Sequence, residues 1–354
     1  MKKLFIIAGE ASGDRIGAAL IKKYYAQGYE ITGIGGPLME EAGHFKSLFP
    51  MTDLSVMGIA EILPKLLLLL GRIDETKKAL ARFKPDIVLT IDSPDFSFRI
   101  QKVVKDTQKI HVVAPTVWAW RAGRAKKISK FLDELWCLFP FEPPYFEKHG
   151  LKTLYIGHPL TWEALPVKEM NVKPQRLGIF LGSRDGEIQR HADFFMKSIR
   201  SMNDVEFIFP TLPHLHEKIE KKVLEYLHPG TFTVVSDPQT KWADFLYCDV
   251  AIAVSGTVGL ELAYLGVPHI IAYKMNWFTA MLVRLLVRVK FAHLANIILG
   301  KQVVPEFIQE NATPENIKAA IGDLMSENSL SAINQAADFE ALRSVLAPRL
   351  SSAT

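Results

Sequence analysis

The groups able to do chemistry sit in short polar clusters, each placed directly after a short apolar run. Asp92-Ser93-Pro94-Asp95-Phe96 follows the run Ile87–Ile91. Two carboxylates flanking a rigid proline suit proton transfer, one taking the proton while the other positions it or caps the next helix. Asp95 lies deeper in the loop and is the candidate general base, with Asp92 beside it as a sugar contact. Two helix caps would satisfy the same spacing. Gly9-Glu10-Ala11-Ser12-Gly13-Asp14 follows Leu4–Ala8 and opens a helix. Its glycines allow close backbone approach, and the helix start offers N–H groups. The pattern is not GxGxxG, and Glu10 would repel a pyrophosphate, so a sugar hydroxyl held by Glu10 and Ser12 fits better than a dinucleotide. A plain tight turn remains the alternative. Gly33-Ile34-Gly35-Gly36-Pro37 is a second glycine loop facing the same edge.

Pro115-Thr116-Val117-Trp118-Ala119-Trp120-Arg121 follows another apolar run. Trp118 and Arg121 could pack against a sugar or a glycerol-like chain. Arg121, Arg124, Lys126 and Lys127 make a basic cluster suited to a phosphate, or simply a solvated helix face. In the second half, Leu181-Gly182-Ser183-Arg184 offers the N–H groups of Gly182 and Ser183 and the planar fork of Arg184 to a phosphate. Ser255-Gly256-Thr257-Val258-Gly259-Leu260-Glu261 follows Val250–Val254 and opens a helix. Ser255, Gly256 and Thr257 could cradle a diphosphate at that helix start, and Glu261, one turn inward, could hold ribose hydroxyls. A structural turn is the plainer reading of each loop. His158 in Gly157-His158-Pro159 reads as a packed residue at a joint. No His, Cys and Asp residues have metal-ligand spacing, so no protein-bound metal is expected.

The elements that must carry these loops are short apolar strands alternating with helices. Leu4–Ala8, Ile31–Ile34, Ile87–Ile91, His111–Val113 and Glu134–Leu138 form one series, and Leu177–Leu181, Val205–Phe209, Phe232–Val235, Val250–Val254 and His269–Ala272 a second. Continuous apolar runs of this length are how a parallel sheet covered on both faces is written. At 354 residues the chain exceeds one ordinary core. It reads as α/β, two doubly wound Rossmann-like domains over 1–165 and 166–330, with the joint near Leu160–Pro174 and a helical tail over 331–354. Polar loops at the carboxyl ends of such strands gather on the ligand-binding edge.

Composition narrows the class further. Hydrophobic residues at 49% against 23% charged exclude a disordered chain, and a net charge of +4 is too small to argue for nucleic acid. The apolar start Leu4–Ala8 stops at Gly9-Glu10, too early for a signal-peptide core, so a buried first strand is expected and the protein is placed in the cytoplasm. Cys137 and Cys248 lie far apart and read as two buried thiols. Two segments are too apolar for an ordinary surface. Val56, Met57 and Ile59 lead into five consecutive leucines, Leu66, Leu67, Leu68, Leu69 and Leu70, which cover a helix all round. Met281 to Phe291 places Arg284 and Arg288 four apart on one face, the pattern of an interfacial helix. Both are candidate membrane contacts, with burial in a core or a homodimer as the alternative.

In order along the chain, these clusters resemble the lipid-A-disaccharide synthase family. The resemblance rests on Gly9–Asp14, Gly33–Gly36, Ser55–Gly58, Asp92–Phe96, Pro115–Arg121, Leu138–Glu142, Gly157–Pro159, Leu181–Arg184, Ser255–Thr257 with Glu261, Tyr273–Met275 and Leu294–Asn296. It runs from residue 4 to about 310, departing at Arg15-Ile16, where the family carries apolar residues, and at Leu181, where it carries proline. It implies a GT-B type fold whose tail returns to the first domain. It also implies inverting transfer of 2,3-diacylglucosamine from its UDP conjugate to the 6-hydroxyl of 2,3-diacylglucosamine 1-phosphate. In that scheme Asp95 is the base, Asn296 is a further nucleotide contact, and no cofactor is needed. The protein would lie peripherally on the inner membrane. Another UDP-sugar enzyme of this architecture, a UDP-N-acetylglucosamine transferase or 2-epimerase, leaves the leucines unexplained. A nonenzymatic nucleotide-binding membrane protein is the alternative from a different class.

Overall fold

The computed structural model describes residues 1–54, 59–276 and 289–347, with side chains from 67 onward in the helix that begins at Ile59. Val56, Met57, Arg284 and Arg288, and the side chains of Ile59 and Leu66, therefore lie outside the described residues. The chain divides into two compact units, Met1–Pro159 and Leu160–Ala347 in the described part.

In the first unit the order is β1 (Lys3–Ala8), α1 (Ala11–Ala26), β2 (Glu30–Ile34), α2 (Pro37–Gly43), α3 (Ile59–Phe83), β3 (Ile87–Ile91), α4 (Pro94–Gln101), β4 (Gln108–Val112), α5 (Gly123–Ile128), β5 (Glu134–Cys137), α6 (Pro144–Glu147) and β6 (Lys152–Tyr155). The sheet runs β2-β1-β3-β4-β5-β6 with parallel pairing. Every residue of β3 is buried, as expected for a strand covered on both faces. Helix α3 buries Ile73, Thr76 and Leu80, with Leu69 half-buried one turn before, an i, i+4, i+7, i+11 stripe facing the core. Asp14 on α1 is buried and accepts the backbone N–H groups of Gly36, Leu38 and Met39, so it caps α2 from a neighbouring helix.

The second unit repeats the scheme: β7 (Arg176–Phe180), α7 (Asp185–Ile199), β8 (Glu206–Pro210), α8 (His216–Val223), β9 (Phe232–Val235), α9 (Lys241–Tyr247), β10 (Val250–Ala253), α10 (Thr257–Leu265), β11 (His269–Tyr273), α11 (Leu294–Leu299), β12 (Glu306–Ile308), α12 (Pro314–Leu324) and α13 (Leu330–Leu346). Its sheet order is β12-β11-β10-β7-β8-β9, again parallel. Asp249, before β10, is fully buried and takes two bonds from the Arg176 guanidinium, one from Lys168 and two backbone N–H groups. Burial alone would raise its carboxyl, but these donors hold it well below the usual carboxylate range.

Two strands escaped the sequence reading, β6 and β12, of 4 and 3 residues. Both close a sheet edge and neither is fully buried, so neither carries the apolar run that marks a central strand. Helix α13 belongs to the second unit through Ala347. Gln335 bonds the backbone N–H and C=O of His269, Phe339 stacks on that histidine, and Arg343 donates to the Tyr264 carbonyl. The residues beyond Ala347 lie outside the described part.

Candidate active site

In each sheet the chain reverses direction once, and ligands of open α/β sheets bind outside the carboxyl ends of the strands at that reversal. In the first unit the reversal lies between β1 and β3. The loops leaving those strands are the Gly9-Glu10 loop and Asp92–Asp95. They meet in contact: a Cβ on Gly9 would stand 2.0 Å from Ser93 Oγ, so only glycine allows this approach. A cavity of about 250 Å³ opens there, lined by Glu10, Asp92, Ser93, Pro94, Asp95, Phe96 and Arg99 together with Leu54, Leu69, Leu70 and Ile73. Carboxylates and a leucine wall thus share one cleft.

The two aspartates are not placed as the sequence suggested. Asp95 is on the first turn of α4 with its side chain 89% exposed, whereas Asp92 turns inward. Asp92 and Ser93 both take left-handed backbone, φ +52° and +43°, a strained pair of non-glycine residues at the end of β3. Ser97 Oγ holds the Asp92 carbonyl, and Asp92 Oδ1 accepts the Ser93 N–H. Burial raises the Asp92 carboxyl above its ordinary value, against the pull of that N–H. Asp95 Oδ1 is held at 2.8 Å by Arg124 Nη2. The expectation that Asp95 lies deeper is therefore reversed: proline starts the helix at once, and its first turn carries Asp95 outward.

Glu10 joins the two aspartates in the cavity, while Ser12, itself exposed on the first turn of α1, is not among its lining residues. Trp118 and Arg121 likewise stand apart from it. Trp118 packs edge-on against Phe141, which stacks on Phe139, which stacks on His158. Arg121 lies over the exposed Trp120 at 4.1 Å. Under this ladder the buried Glu142 accepts the N–H groups of Leu138 and Phe139. Burial pushes its carboxyl up to about 7, opposed by those N–H groups and by the Trp118 indole, which approaches without closing a hydrogen bond of normal geometry. Burial pushes His158 down to about 4, in keeping with a packed residue.

In the second unit the reversal lies between β7 and β10. The loops leaving these strands are the two proposed phosphate loops, Leu181–Arg184 and Val254–Thr257. Gly182 has φ +109°, which favours glycine, and Arg184 is the N-cap of α7 with its side chain 60% exposed. Helix α10 starts at Thr257 with no side-chain cap bond, and Gly256 and Thr257 are exposed, a helix start of the kind that can accept an anion. The α7 loop differs, because the Ser183 N–H is taken by Glu187 Oε2 at 3.0 Å and Glu187 lies 3.8 Å from Arg184. Glu187 stands three residues after the N-cap, where a capping box places glutamate, but it takes the N–H one residue before the cap, and the sequence reading did not single it out.

The lipid-A-disaccharide synthetase family profile matches residues 4–353. A Ruegeria pomeroyi protein named lipid-A-disaccharide synthase is 40% identical over 348 residues, which covers 91% of this chain and 86% of that one. The chain belongs to the lipid-A-disaccharide synthetase family. The fold is GT-B, two Rossmann-like domains. MurG from Acinetobacter baumannii superposes with a TM-score of 0.60 at 13% identity, over 98% of this chain and 99% of that one. A UDP-GlcNAc 2-epimerase from Neisseria meningitidis gives 0.56 at 13% identity, over 98% and 99%. MurG and the 2-epimerase share the architecture, so the fold alone does not give the reaction and family membership does.

Against that family background two of the expected roles change. Asn296 is fully buried, and its amide is spent within the fold: Nδ2 donates to the Val304 carbonyl and Glu306, and Oδ1 accepts the N–H groups of Val303 and Val304. It therefore organises the Val303–Glu306 turn, and Glu306 in turn holds the N–H groups of Ala292 and His293. Leu69 packs into the first-unit core and the cavity wall, while Leu67, Leu68 and Leu70 are exposed, Leu67 by 83%. Glu261 keeps its place one turn into α10, paired with Lys241 at 2.7 Å. Cys137 and Cys248 are buried free thiols. Among the described residues no group of three His, Cys, Asp or Glu could hold a metal, and no helix is long and apolar enough to cross a membrane.

Proposed function

We propose that this chain transfers 2,3-diacylglucosamine from its UDP conjugate to the 6-hydroxyl of 2,3-diacylglucosamine 1-phosphate, with inversion at the anomeric carbon. The observation that carries this reading is the first-unit cavity, which Glu10, Asp92 and Asp95 line together with Leu54, Leu69, Leu70 and Ile73. A diacylated sugar needs both surfaces, whereas a soluble sugar has no use for the leucines. Asp95 is the base because its carboxylate is exposed at the cavity, while Asp92 is half-buried. The 6-hydroxyl proton passes to Asp95, its oxygen bonds the anomeric carbon, and the bond from that carbon to the diphosphate breaks, releasing UDP. Arg184 and the N–H groups at the start of α10 take up the charge of the leaving diphosphate in place of a metal. Glu261 holds the ribose. The exposed Leu67, Leu68 and Leu70 rest on the cytoplasmic face of the inner membrane, where the acyl chains stay in lipid.

The test is to incubate the purified protein with both substrates and follow disaccharide formation. Asp95→Asn is expected to lose turnover while binding UDP as before, because UDP is held by the second unit. Wild-type turnover in Asp95→Asn would remove it from the role. Absence of disaccharide from the wild-type protein would remove the reaction itself.

A further inference from the structure

The proposed base is held by a partner that no motif predicted. Arg124 Nη2 donates to Asp95 Oδ1 at 2.8 Å, and the two side chains differ in setting, 25% exposed for the arginine and 89% for the aspartate. The guanidinium carbon stands 5.7 Å from the centre of the Phe98 ring, and the Arg124 N–H bonds the Arg121 carbonyl at 2.8 Å. Arg124 is thus the anchored member of the pair and Asp95 the exposed one. A guanidinium has five donors in one plane, and a phosphate matches two of them at once. Arg121, Lys126 and Lys127 are exposed around the same short helix, so the corner attracts a dianion.

We propose that Arg124 reads the phosphate of the acceptor and, by moving onto it, releases Asp95 to act as the base. This rests on the acceptor proposed above. In that sugar the 6-hydroxyl arm and the anomeric phosphate hang from the two carbons flanking the ring oxygen, along one edge of the ring. A base placed at the hydroxyl therefore has the phosphate for a neighbour. With Arg124 on Asp95, a carboxylate lone pair is engaged and its charge is balanced, which suits it poorly to take the hydroxyl proton. With Arg124 on the phosphate, that lone pair opens, the proton moves from O6 to Asp95, and the carbon–oxygen bond forms as UDP leaves. An acceptor without phosphate leaves the ion pair closed. Arg124 is a positioning residue in this scheme, and selectivity for the phosphorylated acceptor lies in turnover as well as binding.

The experiment compares kcat and kcat/KM of the full chain for 2,3-diacylglucosamine 1-phosphate and for the same sugar without phosphate. Loss of hydrogen bonds to a charged group predicts that the wild type prefers the phosphorylated acceptor roughly 10- to 150-fold, with part of the ratio in kcat. Arg124→Gln is expected to bring that ratio to within about threefold, by raising kcat for the acceptor without phosphate, whose base is no longer paired, and raising KM for the phosphorylated one, with UDP affinity unchanged. Arg124→Lys should recover part of the ratio, since a point charge replaces a planar fork. If Arg124→Gln lowers both acceptors by one factor and keeps the ratio, Arg124 only shapes the loop and the handover is wrong. If Arg99→Gln collapses the ratio and Arg124→Gln does not, the phosphate is read by Arg99, the arginine that lines the cavity, which also overturns it. A wild type that makes no disaccharide from either acceptor refutes the proposed reaction instead, so the two failures are told apart.

Discussion

Glu142 should make the first unit less stable as pH rises, and Glu142→Gln should remove that dependence. The carboxyl is 2% exposed and is pushed from 4.5 up to about 7 by burial. Below about pH 4.5 the folded and unfolded chains both carry it protonated, and it costs nothing. Between 4.5 and 7 the unfolded chain ionises it while the folded chain does not, so stability falls; above 7 the loss is complete and constant. At 1.36 kcal/mol per pH unit, the span from 4.5 to about 7 is worth about 3 kcal/mol. Glutamine keeps a carbonyl oxygen for the N–H groups of Leu138 and Phe139 but cannot ionise. Urea unfolding of both proteins, followed by tryptophan emission from pH 4.5 to 8, gives the difference directly. The curves should nearly coincide at the acid end and diverge to about 3 kcal/mol in favour of the variant at pH 8. Parallel curves across that range would show that Glu142 ionises in the fold as easily as in water, and the argument from burial would fail.

Other outcomes follow from the same structure. Arg184→Ala should weaken UDP binding by roughly tenfold or more, the cost of a hydrogen bond to a charged group, and calorimetry that finds no change would put the nucleotide elsewhere. Glu187→Gln should act in the opposite sense, because it removes a carboxylate beside Ser183 and Arg184 that the diphosphate must displace; relief of about 1 kcal/mol or more tightens UDP about fivefold, and weaker binding would contradict it. Leu67→Ser, Leu68→Ser and Leu70→Ser together should abolish sedimentation with anionic vesicles while circular dichroism stays unchanged, since burying each such side chain contributes about 1.5–3 kcal/mol. Leu69→Ser, by contrast, should lower thermal stability, because that leucine packs into the core. A chelator should leave the rate unchanged, and a strict magnesium requirement would refute the metal-free scheme.

Much of this protein was already determined in one dimension. Short apolar runs followed by glycine, serine or aspartate specify parallel strands and put the following loops on one edge, because every strand of such a sheet points the same way. Gly9–Asp14, Asp92–Phe96, Leu181–Arg184 and Ser255–Thr257 could therefore be assigned to ligand-binding edges without knowing the strand order. Only the tertiary structure decided which strands flank each reversal, and so that these four loops leave neighbouring strands in pairs. It also decided orientation, which spacing does not encode. Asp92 turns inward and Asp95 outward because Pro94 starts a helix between them. Asn296 is consumed by the Val303–Glu306 turn, a partner that lies beyond its own helix. Leu69 faces the core where Leu67 faces solvent, because a helix of uniform leucine has no amphipathic signal until α3 is laid against the sheet. The Arg124–Asp95 pair is the clearest case. It joins residues far apart in sequence through the starts of two helices, α4 and α5, and nothing in either segment's own pattern announces it.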